Sequence, residues 1–297
     1  MRVTLLSAVR EAEIRLQRVE QELATRTQEL SSGRRLNKLS DDPLDSANAI
    51  IKRGEATRID SYERAADSVD SRLSIVDSLL SDVISLITAA QTSAVASRSS
   101  VVTAEQREAY AGAIEGIRDT ILADVNTQYR GAYIFSGAAT ATAPYTKTGG
   151  TVSAYQGGAT EVHVDVGRNT AIKISMNGDE LVRGSDTNDL FTELDALVTA
   201  VRAGDSVGID TGLQALGRAL SRATTAQSRV GNDLRVVSDQ RFRLGARRVE
   251  TVLEVARLED ANLVESITGL QAAELAYQAT VRAIGLQLPL SLIDFVR

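Results

Sequence analysis

Apolar residues spaced alternately four and three apart run without a break from Ile59 to Ala94: Ile59, Tyr62, Ala66, Val69, Leu73, Val76, Leu80, Val83, Ile87, Ala90 and Ala94. That alternation is the heptad, which places one stripe along an α-helix and demands a partner helix to cover it. At ~1.5 Å of rise per residue the stripe is roughly 53 Å long, too long for the wall of a compact pocket. The same spacing opens the chain through Leu5, Val9, Ala12, Leu16, Val19, Leu23, Arg26 and Leu30, with Arg26 the misfit. It returns in the last third through Ile209, Leu213, Leu216, Leu220, Ala223, Gln227, Val230, Leu234 and Val237. A one-residue slip then resumes it as Phe242, Ala246, Val249, Leu253, Ala256, Asp260, Leu263, Ile267, Leu270, Glu274, Tyr277, Val281, Ile284 and Leu288.

Punctuation between the stripes is specific. Gly33 offers a C-cap to the first helix. Asp42 before Pro43 is an N-cap followed by a first-turn proline, and Asp45 adds a carboxylate where the helix dipole favours one. The segment Ser97–Thr103 is a turn, and Thr103 with Gln106 forms a capping box. A helix follows through Tyr110, Ile117, Ile121 and Val125 to about Tyr129. From Arg130 to Gly184 the chain turns rich in Gly and Thr. There Val162, Val164 and Val166 alternate with Glu161, His163 and Asp165, and Ile172 and Ile174 repeat the period. With Gly-Arg-Asn between the two runs, this is a β-hairpin. Helix resumes at Asp189–Val201.

Composition narrows the function classes. Aromatic residues are 4% of the 297 and Trp is absent, so Leu, Val, Ile and Ala must build the core, which suits packed helices better than a globular enzyme. A formal net charge of -6 with both signs interspersed argues against a nucleic-acid binder. Absence of Cys rules out disulfides and thiolate metal sites. Arg10, Glu11 and Glu13 break the apolar start before it reaches signal-peptide length, and no run approaches ~18 apolar residues. A route out of the cell would therefore need no ordinary signal peptide.

Heptad helices at both ends of the chain can cover each other only by returning antiparallel. The fold expected is mainly α with a small β insert, an elongated antiparallel coiled-coil or helical bundle with discontinuous domains. Residues 1–40 with 256–297 form a terminal coiled coil, 41–130 with 187–255 a longer bundle, and 131–186 the β insert.

Candidate chemistry is sparse. The corner between the first two helices sets Arg34, Arg35 and Lys38 against Asp41, Asp42 and Asp45. One reading is local charge balance on a solvated turn; the other is a docking corner for neighbouring subunits. His163 sits between Glu161 and Asp165 on an exposed strand face, a weak metal spacing at most. With one His and no Cys, triads and zinc sites lack parts. The glycines at 149–150 and 157–158 lack the Lys-Ser/Thr of a phosphate loop and read as turns. Tyr129, Tyr133 and Phe135 read as packing where helix meets β structure. Arg26, Asp260 and Glu274 either mark stripe edges or pair in an assembly and set register.

Three stretches carry a resemblance. SSGRRLNKLSDDPLDSA (Ser31–Ala47) resembles the N-terminal signature of the bacterial flagellin family. RGAYIFSG (Arg130–Gly137) resembles a motif of that family's hook–filament junction members, and SRVGNDL (Ser228–Leu234) the motif opening its C-terminal helices, departing at Asn232–Asp233. The DDP triplet and the SLIDFVR ending also resemble the junction members rather than the filament subunit. The resemblance implies a structural, non-enzymatic subunit of the flagellum with no cofactor and no metal, exported to the cell exterior. It implies self-assembly into a ring, with another junction protein, flagellin and an export chaperone as partners, and neither nucleic acid nor membrane insertion. The assembly interface expected comprises Leu5, Val9, Leu16, Val19, Leu23, Leu30, Arg34, Arg35, Asp41 and Asp42 from the first part, with Leu263, Ile267, Leu270, Tyr277, Val281, Ile284, Leu288 and Phe295 from the last. The alternatives are a filament subunit and, in another class, a coiled-coil signalling rod.

Overall fold

The computed structural model describes the backbone of residues 2–99 and 101–293, and the side chains of residues 10–99 and 101–285. Among the described residues seven helices and six short strands follow in order: α1 (Arg2–Ser32), α2 (Pro43–Ser97), α3 (Ala104–Val125), β1 (Gln128–Tyr129), β2 (Ala132–Tyr133), β3 (Lys147–Thr148), β4 (Thr151–Val152), β5 (His163–Gly167), β6 (Thr170–Lys173), α4 (Gly178–Val182), α5 (Leu190–Ala203), α6 (Ser206–Glu259) and α7 (Leu263–Ile293). The protein is mainly α with a small β insert. It divides into two compact units, one of residues 1–58 and 246–297, the other of residues 59–245.

In the second unit the heptad stripe of α2 is the core. Val69, Leu73, Val76, Leu80, Val83, Ile87, Ala90 and Ala94 are all buried, and only Tyr62 of the stripe stays half exposed. Their partners are Ile209, Leu216, Ala223, Val230 and Val237 of α6, together with Ala111, Ile114, Ile121 and Val125 of α3. The direction of α6 against α2 is set by two ion pairs: Arg98 to Asp210 (2.7 Å) and Arg241 to Asp67 (2.8 Å). The sequence numbers rise on one helix as they fall on the other, so the pair is antiparallel. By composition and length α2 alone among the described residues could cross a membrane, with a window of mean hydropathy 1.7. Its stripe residues Val83, Ile87, Ala90 and Ala94 are instead buried in the helix core, with Ile84 and Leu86 half-buried against it.

Helix α3 begins at the capping box expected, Thr103 accepting from the Gln106 amide. It ends at Val125, short of the expected Tyr129. Asn126 caps it and holds the returning chain, donating to the Tyr145 carbonyl at 2.8 Å and accepting from the Tyr145 amide at 3.2 Å. Tyr129 then belongs to β1, which pairs with β2 around a two-residue turn in which Arg130 (φ 52) and Gly131 (φ 79) are both left-handed. Helix α5, capped by Asp189, packs antiparallel on α3, with Arg118 donating to Asp195 and Arg202 to Glu108 and Glu115.

Three two-stranded antiparallel ribbons make up the β part. The hairpin expected near 160–174 is β5–β6, pairing Val164 with Ile172, with an irregularity between Asp165 and Gly167. The RGAYIFSG stretch owes its second glycine to a close approach. Gly137 is left-handed (φ 60), and a Cβ there would lie 1.9 Å from the Gly158 carbonyl oxygen. Phe135 beside it is fully buried and Tyr129 and Tyr133 half-buried, which agrees with their reading as packing. Tyr145 stacks edge-on against Phe191, with ring centroids 5.2 Å apart.

The stripe of α6 differs from the expectation. No slip occurs after Val237. The buried and half-buried positions continue four-three through Leu244, Thr251, Val255 and Leu258, with Arg241 and Arg248 at the two intervening places. Arg241 can stand there because Asp67 and Asp70 of α2 receive its guanidinium, the latter at 3.5 Å. The series placed on the partner-facing side, Phe242, Ala246, Val249 and Leu253, lies exposed instead, Phe242 at 80%.

Two substitutions separate these stripes. Leu80→Ala, deep in the core, is expected to cost about 2–5 kcal/mol. Phe242→Ser is expected to change the stability of the isolated chain by no more than about 0.5 kcal/mol. Denaturant unfolding of the two variants checks both.

Candidate functional site

The first unit carries nearly all the residues singled out for assembly. Helix α1 ends at Gly33, whose φ of 68 only glycine adopts freely. Helix α7 lies along α1. Gly33 accepts from the Ala261 amide at 3.0 Å, and Gly269 lies beside the Arg26 side chain, so the two helices run antiparallel, as the matching stripes require. The cover is partial. Leu16, Val19, Leu23 and Leu30 of α1 are half-buried, as are Leu270, Tyr277 and Ile284 of α7. Leu263, Ile267 and Val281 face outward and are exposed. Arg26 binds Glu29 one turn on, at 3.0 Å, and Glu274 is exposed. The side chains of Leu5, Val9 and Leu288 and the whole of Phe295 lie outside the described residues.

The last stripe is interrupted. Helix α6 stops at Glu259 and α7 starts at Leu263, where one continuous run was expected through Asp260. Asn262 caps α7 by accepting from the amides of Val264 and Glu265. Asp260 does not serve a stripe: it forms a backbone bridge with Arg34. The signal was present in Asp260 and Asn262, both good N-cap residues, but an unbroken heptad count passes over them.

That break receives the charged corner. The amide of Arg35 donates to the Glu259 carbonyl at 2.7 Å, and its guanidinium reaches the Leu258 carbonyl at 3.0 Å. The Glu259 carboxylate, 5% exposed, is held between Arg53 and Arg34 (3.8 Å). Lys52 of α2 pairs with Glu254 of α6 at 2.6 Å, and Glu55 with Arg247 at 3.1 Å. Arg35 also pairs with Asp45 (2.5 Å) and Asp42 (3.6 Å). Asp42 accepts from the amides of Leu44 and Asp45, the cap expected of it. The Asp45 amide foremost, then the Leu44 amide and Arg35, hold the Asp42 carboxyl below the usual carboxylate range against a smaller opposing effect of burial. Asp41 accepts from the amides of Asn37 and Lys38 and so closes the turn. Glu259 was missed by sequence reasoning, because nothing in an exposed-looking helix end announces a carboxylate that two arginines will enclose.

Elsewhere the residues offer little chemistry. His163 is exposed and 3.9 Å from Glu161, whose carboxylate is taken by Lys173 at 2.5 Å. Among the described residues no group of three or more His, Asp or Glu could hold a metal ion. A groove of about 400 Å³ in the second unit is lined by Leu73, Val76, Met176 and Val230, with Lys173, Arg229 and Asp233 among its polar residues. Its walls carry both signs of charge and no nucleophile–base pair.

Two expectations follow. Glu259→Ala, which leaves Arg34 and Arg53 without their shared carboxylate, is expected to cost about 1–3 kcal/mol, less than a fully buried pair because both arginines are half exposed. The first turn of α2 should also loosen in acid. Asp42 has a lowered folded value, so its contribution is full above the ordinary carboxylate pKa and fades as pH falls through the lowered one. Amide exchange at Leu44 and Asp45 reads this out, and Asp42→Asn is expected to keep the cap while flattening the pH dependence.

Residues 5–140 match the bacterial flagellin N-terminal helical region. Flagellar hook-associated protein 3 of Escherichia coli (strain K12) is 25% identical over 280 residues, 86% of this chain and 87% of that protein. Flagellar hook-associated protein 3 of Salmonella typhimurium (strain LT2) is 26% identical over 279 residues, with the same shares covered. Among solved structures, the flagellar junction protein FlgL from Legionella pneumophila shares the fold with a TM-score of 0.61 at 12% identity, over 72% of this chain and 100% of that one. The chain thus resembles flagellar hook-associated protein 3 over most of its length, and its N-terminal region resembles that of bacterial flagellin.

Proposed function

We propose that this chain is a structural subunit of the bacterial flagellum at the hook–filament junction, connecting the hook side to the flagellin filament outside the cell. The observation that carries the reading is the similarity to flagellar hook-associated protein 3 along 86% of the chain, joined to a fold of the same kind. The described residues suit a structural part better than a catalyst: long paired helices, ion-paired carboxylates and no assembled acid–base or nucleophilic site. We read no enzymatic activity and no cofactor in it.

Assembly is the chemistry left to such a chain. Its partners in this reading are further copies of itself in a ring, a second junction protein, flagellin, and a chaperone during export. The surface assigned to self-assembly is the pair of terminal stripes. Leu16, Val19, Leu23, Leu30, Leu270, Tyr277 and Ile284 are half covered within the chain, and Leu263, Ile267 and Val281 are open. Covering them with neighbouring copies removes apolar surface from water at about 25 cal/mol per Å². Leu5, Val9, Leu288 and Phe295 are assigned to the same surface from their place in the sequence. The division of labour proposed is a terminal coiled coil (1–40 with 256–297), a longer bundle (41–130 with 187–255) and the β insert (131–186).

Deleting the chain from its source bacterium tests the reading. The expected result is hooks without filaments, with flagellin shed into the medium; filament loss from intact junctions would point to the filament subunit instead. In the purified monomer, amides of residues 10–30 and 263–285 are expected to exchange faster than those of residues 66–94, and to gain protection on assembly. Equal protection of both regions in the monomer would mean that the terminal stripes need no neighbour.

A further inference from the structure

One reading of the corner at residues 34–45 is a docking site made of charges. Those charges, Lys38 excepted, are spent inside the chain. Arg34 and Arg53 close on Glu259, Arg35 on Asp42 and Asp45, and Asp41 on two backbone amides. What the corner turns outward is apolar. Leu39 is 71% exposed, Leu44 72% and Ile51 64%. Leu44 and Ile51 are seven residues apart and so share one face of α2, roughly 10 Å of helix. Leu39 stands in the turn just before it.

We propose that this corner seats the outer face of α7 from a second copy of the chain, through Leu39, Leu44 and Ile51, with Lys38 meeting Glu274. The inference rests on the junction-subunit reading and names the contact within it. At 100° per residue, Leu263, Ile267, Glu274 and Val281 fall within about 40° of one another around α7. They form a narrow apolar strip with one carboxylate in its middle, and all are exposed. Among the described residues Glu274 has no ion-pair partner, and neither has Lys38, the cation next to Leu39. An apolar face with one unpaired cation and an apolar strip with one unpaired anion complement each other. A single charged residue in an otherwise apolar strip also fixes register, because sliding by a turn leaves it facing hydrocarbon. The contact joins two different surfaces, so it repeats from copy to copy and closes into a ring when the rotation allows.

The test replaces the chain in its source bacterium with variants, scoring exported protein, filaments per cell and, on purified protein, helicity and thermal midpoint. The double variant Leu44→Ser with Ile51→Ser is expected to be exported at the original level with an unchanged midpoint, yet to lose filaments. Lys38→Glu and Glu274→Lys, both at exposed positions that leave the fold alone, are each expected to lose most filaments, and their combination to restore them. Filaments retained by the serine variant, or a charge swap no better than its single parents, would overturn the contact. Should the serine variant fold poorly, the charge swap alone decides by the same criterion. Failure of the unaltered chain to restore filaments to the deletion strain would instead overturn the junction reading itself.

Discussion

Burial of a heptad stripe against an antiparallel partner is the constraint on which the rest depends. In the second unit, Val69 to Ala94 of α2 would face water along their whole length without α6 and α3. The stripe cannot tolerate a change of direction, so the partner must run back along it. Ion pairs such as Arg98–Asp210 and Arg241–Asp67 then select the register at modest energetic gain. The β insert and α5 can be built into the loop between α3 and α6 because neither interrupts that stripe.

The first unit shows the opposite economy. Its two terminal helices pair, but neither is wide enough to cover the other, and their stripes stay half exposed. Polar groups are treated differently. The corner's arginines and carboxylates are matched with one another, with Glu259 and with backbone amides and carbonyls, because a charge held at the break between α6 and α7 needs a partner. Apolar side chains carry no such demand. They can remain open until another molecule arrives, and this separation suits a subunit that first exists alone and then assembles.

Much of this was legible in the residues. The stripe from Ile59 to Ala94, the Asp42–Pro43 start, the Thr103–Gln106 box and the β5–β6 hairpin all follow from local rules of spacing and capping. The errors share one cause. Placing a slip after Val237 assumed that apolar residues mark the covered face. Arg241 occupies a seam position because Asp67 and Asp70 wait on α2, and Phe242 is left outside. Running the count through Asp260 likewise ignored a break whose purpose is to receive Arg34 and Arg35. Ending α3 late missed the hold of Asn126 on Tyr145.

The sequence by itself determined most of the long helical segments, where most of them start, and that the two ends of the chain must lie antiparallel, because periodicity and caps are properties of neighbours a few residues apart. Only the tertiary structure decided which of two adjacent stripes on α6 is covered, that Glu259 is enclosed by Arg34 and Arg53, and that the corner turns leucine and isoleucine outward. Those outcomes depend on partners some two hundred residues away, and an arginine or a phenylalanine reads the same in the sequence whether or not such a partner is there.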